Sequence, residues 1–381
     1  MSDIYIVGVA MTPFGRYLDR PIKDMTRSVV NDALADAGAE VADIEAAWFA
    51  NAAQAILEGQ GSIPGEIALR NMGIQEIPVT NVENACAGGS SAVRAAWLSV
   101  GTEEHDLCLV VGAEKMGRGL IAFSSADLEL TLGNTAPAQY ALAGQRHMHE
   151  YGTTAEDFAR VAVKSRHHGA LNPNARFREE VALEEVLESR PIADPITLLQ
   201  CCRNGSGAAA LVIGSEAWCA KRGGPKVWIE GSGLRSIMGD STERDLTNFG
   251  ATRTASTAAY EMAGIGPEDI DLVELHDAFT VGELLHCEGL GLCPKGQGGR
   301  LVRDGDTALG GRIPVNTSGG LISKSHPVGA TGVAQFAELT WQLRGEAAGR
   351  QVEGAKTALA HSQGGTGLEA GATCVTILAR G

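Results

Sequence analysis

The chain has no run of 18 apolar residues, so no segment reads as a membrane-spanning helix. It has no excess of positive charge either: 31 Lys and Arg stand against 46 Asp and Glu, a formal net charge of -15. A partner made of nucleic acid calls for a basic face, so that class is excluded. A small anionic ligand is not excluded, because at physiological salt only charges within about 8 Å act on it. Among the eight cysteines there is no Cys-x-x-Cys pair; Cys201 and Cys202 are adjacent and the rest are scattered. Such spacing gives no disulfide framework, and most of these thiols are expected as small buried apolar groups in a reducing compartment. His147-x-His149 lacks further ligands at metal spacing, so no metal is expected. Gly231-Ser232-Gly233 lacks the third glycine of a dinucleotide fingerprint, which argues against a nicotinamide. Met1-Ser2-Asp3-Ile4-Tyr5 lacks the basic and apolar regions of a secretory signal, and Leu378-Ala379-Arg380-Gly381 is no recognised address. The expected location is the cytoplasm.

What the chain has in quantity is glycine, 49 of 381 residues, nearly double the ~7% of ordinary proteins. These glycines have no three-residue period, and with 44% apolar residues the composition is that of a globular chain with two domain-sized cores. Ala37-Gly38-Ala39-Glu40-Val41-Ala42-Asp43-Ile44 resembles Ala263-Gly264-Ile265-Gly266-Pro267-Glu268-Asp269-Ile270 at an offset of 226. Each copy follows an Ala-rich helical pattern and precedes a short apolar run suited to a strand, Ala46–Phe49 or Leu272–Leu275. Duplication is the natural reading. Further buried strands are predicted at Ile4–Val9, Leu107–Gly112, Ala209–Ile213, Val227–Glu230, Ala358–Ala360 and Thr373–Leu378. Helical patterns lie between them at Ser90–Val100 and Ala330–Leu343, so the class is layered α/β. A more charged stretch, about residues 118–196, breaks the rhythm as an excursion. It divides the chain into a first half (1–117 plus 197–222), the insertion (118–196) and a second half (223–381).

Four segments carry candidate chemistry. Glu83-Asn84-Ala85-Cys86-Ala87-Gly88-Gly89-Ser90 places Cys86 at a helix entrance, where unpaired N–H groups and the dipole are expected to lower a thiol pKa. Glu274-Leu275-His276-Asp277-Ala278-Phe279 is a strand ending in polar groups, the usual edge of a ligand crevice. Ser325-His326-Pro327-Val328-Gly329 sets His326 at a second helix entrance, the counterpart of Cys86 in the other half. A pseudo-twofold relation would bring the two together as nucleophile and base. The fourth, Ala360-His361-Ser362-Gln363-Gly364-Gly365-Thr366-Gly367, reads as a strand end entering a loop whose N–H groups can hold an oxyanion. Taken singly, each segment also has a structural reading: a buried cysteine, a core histidine or a tight turn.

In this combination and order, with Tyr5–Gly15, Met148–Thr154 and Gly207–Ala210 as further echoes, the chain resembles the thiolases. The likeness is to the sterol-carrier-protein-type branch and its bacterial and archaeal relatives, which include acetyl-CoA acetyltransferases. It implies the thiolase fold: duplicated βαβαβαββ halves in an α/β/α/β/α stack, with a loop domain inserted in the first half. By the same resemblance Cys86 takes the acyl group from a thioester, and His326 deprotonates Cys86 and helps bind the thioester oxygen. His276, where other thiolases have a water-holding asparagine, would complete that oxyanion hole. The backbone N–H groups of Cys86 and Gln363 would form a second hole.

Two departures bear on mechanism. Classical thiolases have a second reactive cysteine where this chain has His361, and sterol-carrier-type enzymes have one at the position of Ala278. Proton transfer at the α-carbon would then fall to His361, unless the reaction differs from thiolysis. Ser325 also replaces a usual glycine, and Gln363 another. Coenzyme A is implied as substrate and product, with no permanently bound cofactor. Arg160, Lys164, Arg166, Arg176 and Arg178 form an acid-free run in the excursion and are the candidates for its phosphates, or else a solvated helical face. Three readings stand at this point: a thiolase, an enzyme passing the acyl group to another carbon acceptor or cleaving by retro-aldol chemistry, and a non-catalytic scaffold. Homodimers or tetramers are implied, and some relatives work with small zinc-ribbon/OB-fold partners.

Overall fold

The structure, a computed structural model, describes residues 3–117, 133–223, 226–236, 245–365 and 371–381. Met1, Ser2, Thr366, Gly367 and the start of the excursion at 118–132 lie outside the described residues. The first half runs β1 (Tyr5–Met11), α1 (Ile22–Ala37), β2 (Ala46–Ala50), β3 (Val79–Val82), α2 (Gly88–Gly101) and β4 (Leu107–Lys115). The excursion contributes α3 (Ala136–Tyr151), α4 (Ala155–Leu171) and a small hairpin of β5 (Pro191–Ala193) and β6 (Ile196–Thr197). The chain then returns through β7 (Ser206–Gly214). The second half runs β8 (Val227–Ser236), α5 (Gly250–Ala263), β9 (Leu272–Glu274), α6 (Thr280–Gly289), α7 (Val328–Arg344), β10 (Thr357–Gly364) and β11 (Ala372–Arg380).

The strands follow the order β3-β2-β4-β7-β1-β8-β11-β10-β9, and a parallel bridge from Val273 sets Val315 beyond β9. Outward from the centre, the two halves mirror each other. β7 and β11 are the antiparallel members, while β2–β3–β4 and β9–β10 are parallel. The joint is slight: Tyr5 opposite Trp228, with the Ile229 N–H donating to the Ile4 carbonyl at 3.0 Å. The repeated sequence has repeated geometry. α1 ends at Gly38 (φ 67°) and α5 at Gly264 (φ 71°). A single helical turn follows each, closed by Asp43 accepting from the Glu40 N–H at 2.8 Å and Asp269 from the Gly266 N–H at 2.9 Å.

Packing explains the layers. α1 buries Met25, Val29, Val30 and Ala33, spaced three and four apart, against Val7, Leu109 and Val212 on one face of the first half. α5 lays Ala255 and Ala259 on Val273, Leu359 and Val375 of the second. The remaining faces of both halves close on α2 and α7, where Val93, Ala96, Val333 and Phe336 meet Ile6, Val110, Leu211, Ile229 and Ala358. The stack is therefore α/β/α/β/α, with α2 and α7 as its central layer.

Those two helices approach until backbone touches backbone. A Cβ on Gly332 would lie 2.5 Å from the Ser90 nitrogen, and one on Gly89 would lie 2.8 Å from the Val333 nitrogen. Neither neighbour can yield, because each belongs to a helix packed on a sheet. Gly332→Ala is expected to destabilise the protein by about 3 kcal/mol, read as a lower urea midpoint. An unchanged midpoint would show that the helices can part without cost.

Candidate active site

Cys86 occupies the helical turn Ala85–Ala87 that leads into α2, behind Ala85 in the left-handed region (φ 48°). His326 stands two residues before α7, its N–H donating to the Arg203 carbonyl at 2.9 Å. Because α2 and α7 touch, the two entrances adjoin, and His326 Nε2 lies 3.0 Å from Cys86 Sγ. On the ring's other side, Nδ1 is 2.8 Å from Thr331 Oγ1. The Thr331 hydroxyl spends its one hydrogen on the Pro327 carbonyl (3.0 Å), so it accepts from Nδ1–H. The Nε2 lone pair is thereby left facing the thiol, as a general base requires. The role of Thr331 rests on helical spacing: it lies one turn past Pro327.

The pair is uncharged at rest. Burial pushes the Cys86 thiol up to about 12, and Glu114 and Glu83 add to the rise. The lowering expected from the helix entrance is not seen, since desolvation outweighs the backbone N–H bond that favours the thiolate. Burial also holds His326 well below its ordinary value, helped by His276. A thiolate therefore forms only as its proton moves to His326.

Ser325 carries strain into this site. Its backbone (φ 78°, ψ 173°) lies where essentially only glycine is at ease, and its buried hydroxyl has no partner. Ser325→Gly is expected to raise stability by about 1 kcal/mol, measured as a higher melting temperature; a lower one would show that the hydroxyl matters more than the backbone.

His276 follows β9 and lies against His326, with ring centroids 5.2 Å apart. It is 4% exposed, and neither ring nitrogen has a partner among the described residues. Ligating atoms of Cys86, His276 and His326 all lie within 4.8 Å of one another. The loop bearing His276 is fixed by Asn316 Oδ1, which accepts the Leu275 N–H at 2.8 Å, and by Asp277, which accepts the Leu321 N–H at 2.7 Å.

His361 is not in that cluster. It sits within β10, which runs on to Gly364, so Ser362 and Gln363 are strand residues rather than the loop the glycines suggest. Its Nδ1 accepts the His276 N–H at 3.4 Å, and its Nε2 pairs with Thr252 Oγ1 at 3.2 Å. Thr252 in turn pairs with His286 Nδ1 at 3.1 Å, and the rings of His286 and His361 lie tilted at 49° with centroids 4.2 Å apart. Gln363 faces Thr373 on β11. The next residue, Gly364, presses on the Cys86 turn so closely that a Cβ would overlap the Asn84 carbonyl and lie 2.7 Å from the Cys86 nitrogen.

A cavity of about 520 Å³ opens beside these groups, lined in part by Met116, Cys202, Asn204 and Phe279. Met116 packs against Cys86 and Val328. The cavity's cations are Arg16, Arg176, Arg190 and Arg203. Of the five expected phosphate contacts only Arg176 is among them, its guanidinium on the Asn204 carbonyl at 2.6 Å and over the Phe177 ring. Lys164 is instead buried, donating to the Val315 carbonyl and paired with Glu283, both at 2.8 Å. Arg160 pairs with Glu156 at 3.7 Å, Arg166 donates to the Glu179 carbonyl at 2.8 Å, and Arg178 is exposed away from the lining. Arg160, Lys164 and Arg166 spread around α4 and cannot face one ligand, and Arg176 and Arg178 lie past its end; the cavity instead gathers its arginines from four separate segments.

The model of the thiolase N-terminal domain matches residues 4–216, and that of the thiolase C-terminal domain-like family matches 235–380. The chain belongs to the thiolase family. It is similar to an acetyl-CoA acetyltransferase of Methanothermobacter thermautotrophicus, 40% identical over the whole of both chains. It is also similar to sterol carrier protein 2 of Bos taurus, 39% identical over 95% of this chain and 70% of that protein. Among solved structures, an Ltp2-ChsH2(DUF35) aldolase matches with a TM-score of 0.86 and 29% identity, over 99% of this chain and 97% of that one.

Five buried histidines of the thiolase are held uncharged. Burial holds His276 at about 4, His361 at about 3 and His168 at about 3, with His286 and His326 well below the ordinary value. Unfolded, each would titrate near 6.5. Their stabilising contribution is thus complete above pH 6.5 and is lost as pH falls from there toward 4, because the unfolded chain gains protons the folded one refuses. The urea midpoint is expected to drop steeply between pH 6.5 and 4.5, and less steeply in His361→Asn. A flat wild-type profile would mean these rings protonate in place.

Proposed function

We propose that this thiolase works through an acyl thioester on Cys86, cleaving a 3-oxoacyl-CoA or running the reverse condensation. The 3.0 Å contact between Cys86 Sγ and a His326 ring whose tautomer is set by Thr331 carries the reading. In cleavage, His326 Nε2 takes the thiol proton as sulfur attacks the C3 carbonyl. His276, with both nitrogens unpartnered, turns one N–H with His326 toward a thioester oxygen. The Cys86 and Gln363 N–H groups hold the acyl-enzyme carbonyl; one such donor is worth about 3–4 kcal/mol.

The cavity's volume suits a cofactor-sized ligand, and its four arginines suit the phosphates of coenzyme A. The cytoplasm fits eight free cysteines, and no helix among the described residues is long and apolar enough to cross a membrane. A homodimer or tetramer, with or without a small zinc-ribbon/OB-fold partner, completes the reading; the aldolase with a similar structure pairs Ltp2 with ChsH2(DUF35). That likeness also supports a second reading, retro-aldol cleavage or transfer to another carbon acceptor.

Mass spectrometry after incubation with acyl-CoA thioesters is expected to show one acyl group on Cys86 and none in Cys86→Ala. Thiolysis is expected to fall by about 10²–10⁴ in His326→Ala, and about tenfold in Thr331→Val, which loses only the tautomer lock. Full thiolysis by Cys86→Ala would sink the acyl-enzyme reading. Retro-aldol turnover without thiolysis, in a panel of both substrate types, would favour the second reading.

A further inference from the structure

Breaking the C2–C3 bond of a 3-oxoacyl thioester leaves an electron pair on C2, which must receive a proton. The Cys86–His326 pair does not supply it, since His326 holds the Cys86 proton until the acyl group leaves. His361 presents no free ring nitrogen, one accepting the His276 N–H and the other on Thr252. A third group must stand in the cavity, and the chain returning from the excursion brings one. Residues 201–204 pass between the two histidine loops: the Cys202 N–H donates to the Ala278 carbonyl at 2.9 Å, and the Arg203 carbonyl accepts the His326 N–H at 2.9 Å. Cys201 bridges to Phe279 and Asn204 to His326. The Cys201 thiol is occupied, donating to the Thr197 carbonyl at 3.3 Å. Among the described residues the Cys202 thiol makes no such bond, and Cys202 lines the cavity beside Phe279 and Asn204.

We propose that Cys202, on the cavity wall beside the His276 and His326 loops, is the catalytic acid that protonates the α-carbon. The proposal rests on the acyl-Cys86 reading above. As the C2–C3 bond breaks, its electron pair goes to C2 and takes the Cys202 S–H proton, releasing acetyl-CoA, leaving the shortened acyl group on Cys86 and leaving a Cys202 thiolate. Incoming coenzyme A gives its thiol proton to that thiolate and attacks the acyl carbonyl. Cys86 departs and recovers its proton from His326, so every group returns to its starting state. Burial, with Cys201, Cys86 and Asp277 adding, keeps the Cys202 thiol protonated until a strongly basic carbon arrives.

The test uses Cys202→Ala and Cys202→Ser in the full chain, each first checked for an unchanged melting temperature. Three readouts are compared with wild type: acylation of Cys86 by acetyl-CoA, exchange of the acetyl-CoA methyl protons with deuterium oxide, and thiolysis of a 3-oxoacyl-CoA. The expected result is acylation within about twofold, with exchange and thiolysis both down by about 10²–10⁴. Thiolysis within tenfold of wild type, or loss of acylation in step with thiolysis, would overturn the proposal, the latter by showing a merely structural cysteine. A wild-type enzyme that is never acylated would instead overturn the acyl-enzyme reading, and the assignment of Cys202 with it.

Discussion

The constraint on which the rest depends is the bare backbone contact between the first turns of α2 and α7. Each helix is the core of its own half, with a sheet behind it, and the absence of side chains at Gly89 and Gly332 lets their axes close. One consequence is mechanical: the layers stack only because the central helices serve both half-sheets at once. The other is chemical, because the helix entrances are where Cys86 and His326 sit. Ties across the joint keep the register, since the Ser90 hydroxyl on α2 donates to Ser362 on β10, and Ser362 donates to Gln335 on α7.

Electrostatically the site is built to hold charge off until substrate arrives. The positive end of α7 is met by Glu114, which accepts N–H groups from Gly329 at 3.1 Å and Ala52 at 2.9 Å, together with the Asn51 amide at 2.8 Å. Burial pushes this carboxyl up to about 7 in spite of those donors, and its field opposes ionisation of Cys86. Cys86 therefore faces a directed proton acceptor and is not a standing thiolate.

The architecture was legible in the sequence because its causes are local. The Ala-Gly stop, the acidic turn and the apolar run recur at Gly38–Ala46 and Gly264–Leu272, and each signal acts within a few residues. Cys86 and His326 were legible through the same duplication. What was hidden depends on distant parts of the chain meeting. Arg16, Arg190 and Arg203 converge from segments with no shared pattern, while the conspicuous basic run of α4 divides between ion pairs and solvent. His361 looked like an available base because nothing near it in sequence discloses Thr252 and His286. The end of β10 was missed because Gln363-Gly364-Gly365 has the composition of a turn, although Gly364 is there to let a strand pass the nucleophile.

The mirror order of the strands has a consequence for how such a site can exist at all. Two identical halves joined without a covalent link would present the same side chain at both helix entrances, cysteine facing cysteine or histidine facing histidine. Neither arrangement sets a thiol beside a base. Linking the copies in one chain frees the two entrances to differ, so the unlike pair at the centre depends on the connection between β7 and β8 as much as on either helix.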